Sequence, residues 1–99
     1  RAQLGLMAQP VNLTQRIIEV NQLKTRSGVY VYEITKSSEI NNMEMKEGDI
    51  IVEFDGIPVS TVDNLHKLLN ENVIGVKVSL GILRGLRRQI ITVIPGEIK

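Results

Sequence analysis

The chain contains no cysteine, which excludes a disulfide framework and any thiolate zinc site without fixing a compartment. Its single histidine, His66, has no second histidine to join it, so it is a poor metal candidate. Two tyrosines and one phenylalanine are its only aromatics. The core must therefore be aliphatic, and the Ile, Leu and Val that build it favour strands. No apolar run approaches the roughly 20 residues needed to span a bilayer, so membrane insertion is not expected. A net charge of +1 gives no reason to expect a polyanionic partner. Nor is there a repeat, a low-complexity segment or any pattern that calls for a cofactor. What is there suffices for one core, since 42% of the 99 residues are hydrophobic. With neither a signal peptide nor an initiating Met, residues 1–99 are expected to be a single domain excised from a larger chain.

The most informative stretch is Arg1 to Pro10. Gly5 between Leu4 and Leu6 would weaken a strand, but it suits a sharp turn that presents backbone amides. Successive N–H groups facing one concavity form an anion nest able to hold a peptide's terminal carboxylate. Leu4 and Leu6 would wall an apolar pocket, and Arg1 would add charge at the rim. Alone the tripeptide is a weak signal, because buried strands contain it by chance. Pro10 has no N–H to give, so the strand Leu6–Met7–Ala8–Gln9 should end there or lie on an edge, as an added peptide strand would require.

Further along, Asn12 or Thr14 would cap a short helix through Gln15–Ile18, and a polar loop leads to Gly28. Val29 to Ile34 is a strand with the valines on one parity and the tyrosines on the other. A short helix is expected over 39–45, capped by Ser37 or Ser38. Gly48-Asp49 and Asp55-Gly56 are turns bracketing a strand, and Asp49 is expected to bond its own turn rather than act as a catalytic acid. Ser60 or Thr61 opens a helix reaching about Asn72, with Val62, His66, Leu69 and Val73 on one stripe and Leu65 and Leu68 beside it. Val76–Leu83 and Gln89–Ile94 alternate as strands joined by a hairpin carrying Arg84, Arg87 and Arg88. Solvated charge is the expectation there; with no interleaved aromatic for base stacking, nucleic-acid binding is not expected. Pro95-Gly96 would end the fold.

Together these segments resemble a PDZ domain of the kind attached to HtrA/Deg-family trypsin-like serine proteases of bacteria. Arg1-x-x-Leu4-Gly5-Leu6-Met7 resembles that family's carboxylate-binding loop and preceding arginine. Gly48 to Gly56 resembles its Gly-Asp-hydrophobic strand and turn, and Val76 to Gly85 its final hairpin. The insertion from Val11 to Ser27 is also typical of this branch. The chain departs from the pattern at Ser37-Ser38-Glu39-Ile40 and at Met43-Glu44-Met45, where Glu44 replaces the family's glycine. Neither departure is expected to touch the groove.

The resemblance implies an α+β fold: a partly open β-barrel or sandwich of about five to six strands, one main helix flanking a groove, and one or two short helices. It implies a non-catalytic, peptide-binding module. Hydrophobic C-termini of unfolded or misfolded proteins would add as a strand beside Leu6, Met7, Ala8 and Gln9. The carboxylate would meet Arg1, Leu4, Gly5 and Leu6, and the last side chain a pocket of Leu4, Leu6, Val62, His66 and Leu69. Gly5→Val is expected to abolish binding and leave the fold largely intact. The partners implied are such peptides and an attached protease domain, which the module would regulate or supply in the periplasm as part of protein quality control. The isolated domain would be a monomer and the full-length protein an oligomer. Two other functions remain open: an inter-subunit docking domain controlling oligomer assembly, and a hydrolase. The second lacks a nucleophile and acid around His66.

Overall fold

The computed structural model describes residues 2–97. In chain order the elements are β1 (Ala2–Gln3), β2 (Leu6–Asn12), α1 (Gln15–Asn21), β3 (Ser27–Ile34), β4 (Ile50–Phe54), β5 (Ile57–Pro58), α2 (Val62–Leu68), a 3-10 turn (Glu71–Val73), β6 (Val78–Arg84), β7 (Arg87–Val93) and β8 (Gly96–Glu97). The main sheet is antiparallel in the order β2-β3-β4-β6-β7, with β5 pairing on β4. The open α+β arrangement and its two helices agree with the expected fold class.

β-branched residues explain the sheet. Val29 and Val31 are fully buried while Tyr32 is half exposed, so β3 alternates as its sequence does. In β4 the alternation breaks: Ile51, Val52 and Phe54 are all buried. A register shift between Ile51 and Glu53 against β6 changes the phase there. Leu80 and Ile82 of β6, Val93 of β7, and Leu65 with Leu69 from the α2 segment complete the aliphatic core.

Both helices start as their caps dictate. Thr14 Oγ1 accepts from Ile17 N at 3.2 Å, and Thr61 Oγ1 accepts from Asn64 N at 3.0 Å. α1 buries none of its residues. It is held through Asn21, whose Nδ2 donates to Leu86 O and whose Oδ1 accepts from Arg88 N, each at 3.0 Å.

Four expectations are corrected. α2 stops at Leu68 rather than near Asn72. Asn70 adopts extended backbone and its side chain accepts from Asn72 N at 2.8 Å, starting a separate 3-10 turn. No helix forms over 39–45. Ser37 Oγ does accept from Glu39 N, but Asn41 exchanges backbone hydrogen bonds with Ile94 at 3.0 and 2.9 Å, which diverts the chain from a helical ladder. The fold does not end at Pro95-Gly96: β8 pairs with β1, Gln3 opposite Gly96 and Ala2 opposite Glu97. Finally, the hairpin arginines are not simply solvated. Arg84 grips Asp49 with Nε and Nη2 at 2.9 and 2.8 Å, and Arg88 pairs with Glu53.

Asp49 does take its turn role, accepting from Lys46 N at 2.8 Å. Its carboxylate is 1% exposed, so the guanidinium balances a charge that would otherwise be costly to bury. That hydrogen-bonded pairing with Asp49 raises the Arg84 pKa above its usual value, with desolvation opposing.

Candidate functional site

β2 is the terminal strand of the sheet, and α2 packs alongside it. A terminal strand leaves one row of backbone N–H and C=O groups unpaired by its own sheet. Between strand and helix run two adjoining cavities that share Leu6, Leu65 and His66. The inner one, about 250 Å³, is closed by Ala2, Gln3, Leu4 and Gly5, with Leu69 on the helix side. The outer one, about 280 Å³, is bounded by Met7, Ala8, Tyr32 and Val62.

The turn at the inner end has the backbone that only glycine adopts readily: Gly5 lies at φ +67°. A Cβ there would stand 2.8 Å from Thr35 O and 3.2 Å from Asn42 Nδ2. Hydrogen bonds fix two successive carbonyls of the turn. Thr35 N donates to Gly5 O at 2.6 Å, and Asn42 Nδ2 donates to Leu4 O at 2.9 Å. Leu4 itself is 2% exposed and belongs both to the core and to the cavity wall.

The structure brings Leu4, Gly5, Leu6, His66 and Leu69 together around the inner cavity. Met7, Ala8 and Val62 lie at the outer one. Gln9 continues β2 opposite Tyr30 and lines neither cavity. Arg1 lies outside the described residues. His66 is exposed, and it is the only basic side chain among the described residues lining either cavity. Among the described residues neither lining includes a serine, a threonine or a carboxylate beside His66. An edge strand, a positive-φ turn and aliphatic walls can hold an extended chain.

Leu65, Ala2, Gln3, Tyr32 and Asn42 escaped the sequence reading. Leu65 had a signal: Val62, Leu65, His66 and Leu69 follow the i, i+3, i+4, i+7 spacing of one helix face. Tyr32 and Asn42 had none, because only the folded sheet brings them near residues 4–8.

A family profile described as PDZ domain matches residues 4–94. The chain belongs to the PDZ domain family. The periplasmic serine endoprotease DegP of Salmonella typhimurium is 27% identical over 84 residues. That alignment covers 85% of this chain but 17% of DegP, so the chain spans under a fifth of this relative's length. Two solved structures share the fold. The HtrA3 PDZ domain, bound to a phage-derived ligand (FGRWV), superposes with a TM-score of 0.65 at 20% identity, covering 96% of this chain and 85% of the other. The HtrA-type protease AlgW, solved with a decapeptide, gives 0.72 at 20% identity, covering 97% of this chain and 29% of AlgW. This PDZ domain is similar to segments of HtrA/Deg serine proteases.

Proposed function

We propose that this PDZ domain captures extended peptide segments, above all hydrophobic C-termini, as an added strand antiparallel to Leu6–Gln9. The observation that carries this reading is the edge strand β2 leading out of the Gly5 turn into a groove walled by α2. Its main-chain groups offer a ladder, and the amides around Leu4, Gly5 and Leu6, with Arg1, would receive the terminal carboxylate. The last side chain would enter the inner cavity, whose walls are mainly aliphatic. The ligand of the HtrA3 PDZ domain ends in valine, as this pocket would favour. Binding should be modest, because a short peptide loses entropy that one strand of hydrogen bonds only partly offsets.

In the longer protein the module, residues 1–99, would be a non-catalytic attachment to a trypsin-like serine protease. It would regulate that protease or deliver unfolded C-termini to it, in the periplasm, as part of protein quality control. The test is fluorescence anisotropy with a labelled peptide ending in valine, the same peptide amidated, and one ending in aspartate. Selective binding of the free-acid valine peptide supports the reading. Equal binding of all three, or none together with concentration-dependent self-association, overturns it in favour of inter-subunit docking.

A further inference from the structure

The segment between β3 and β4 departs most from the family pattern, yet it supplies a hydrogen-bonding side chain behind the Gly5 turn, beside Ile40. Asn42 is 1% exposed. Its Nδ2 donates to Leu4 O at 2.9 Å and to Thr35 O at 3.3 Å, tying the start of the turn to the end of β3. Thr35 N in turn donates to Gly5 O at 2.6 Å. Two successive carbonyls, those of Leu4 and Gly5, are thus held on the side of Asn42 and Thr35. In a trans peptide the N–H points opposite its C=O, so the N–H groups of Gly5 and Leu6 turn away from that side. Gly5 and Leu6 line the inner cavity; Asn42 and Thr35 do not.

Asn42 is itself immobilised. Its neighbour Asn41 exchanges two backbone hydrogen bonds with Ile94, and Asn42 O accepts from Met45 N at 3.1 Å, where Met45 is anchored in the core. Donors held in place before a ligand arrives need no reorganisation when it binds. We infer that Asn42 is a positioning residue that fixes the amides of the Gly5 turn and so sets the groove's preference for a free carboxylate. The inference rests on the peptide-binding reading, and its experiment separates the two.

The free-acid and amidated valine peptides are titrated against the native domain, Asn42→Ala and Val93→Ala. Val93 is fully buried in β7 and lines neither cavity, so its variant controls for lost stability alone. The acid-to-amide affinity ratio should fall about fivefold to tenfold in Asn42→Ala, with amide binding little changed, and hold in Val93→Ala. A native domain that binds acid and amide alike overturns the carboxylate reading and this inference with it. Discrimination that persists in Asn42→Ala, or falls equally in Val93→Ala, overturns the inference alone. Should Asn42→Ala fail to fold, hydrogen exchange of the Asn42 side-chain amide in the native domain decides. Slowing by the free-acid peptide but not by the amide supports the role; equal slowing by both, or by neither, overturns it.

Discussion

Gly5 sits at φ +67° with Thr35 O 2.8 Å from where a side chain would begin. Valine there would not leave the fold largely intact, as the sequence alone implies, because its Cβ meets backbone rather than a yielding side chain. Even Gly5→Ala should lose about 2 kcal/mol or more, from left-handed strain plus the clash, together with peptide binding. Chemical denaturation alongside the peptide titration checks both effects. Arg84 poses the converse case, a charge whose worth lies in what it covers. Arg84→Ala would leave the buried Asp49 carboxylate with its turn hydrogen bond alone. The expected loss is about 2–3 kcal/mol, below the range for fully buried pairs because Arg84 is 30% exposed. A urea unfolding series measures it, and a loss under half a kcal/mol would mean that Asp49 is hydrated in solution.

α2 and the β1–β8 pairing show what could be read from the sequence and what could not. The cap at Thr61, the strand at Val29–Ile34 and the edge character of Leu6–Gln9 follow from local chemistry: a hydroxyl, a β-branched run, a proline. The pairing of Gly96–Glu97 with Ala2–Gln3 spans the whole chain, and no local pattern announces it. Position 39–45 misled for the same reason, since Asn41 finds its partner at Ile94. A side chain at Gly96 would begin 1.9 Å from Glu39 O. Gly96→Ala should therefore open the β1–β8 pairing and quicken amide exchange at Ala2 and Gln3, measurable by NMR; unchanged exchange there would show that the backbone shifts freely. Leu69 closes the inner cavity from the helix side and is 5% exposed. Leu69→Ala should cost about 2–4 kcal/mol and move the terminal preference from valine toward phenylalanine. Parallel titrations with peptides differing only in that residue would show the change, and an unchanged preference would place the terminal side chain elsewhere.

The whole molecule is an aliphatic core that leaves one sheet edge facing a helix. Two of its arginines serve the frame: Arg84 ties β6 to Asp49 and Arg88 ties β7 to Glu53 of β4, so the basic hairpin is partly committed within the fold. The groove was legible in outline, because glycine between leucines before a strand whose proline confines it to a sheet edge is a backbone signal. Its partition into two cavities was not, since that depends on how α2 rotates over β2 and on Tyr32 arriving from β3. The most direct test of the central claim is an amide-shift NMR titration of the domain with a short peptide ending in a free valine carboxylate. Shifts should cluster at Leu4–Gln9 and Val62–Leu69 and shrink when the peptide is amidated. Shifts absent from both stretches, or centred on another face of the sheet, would contradict it.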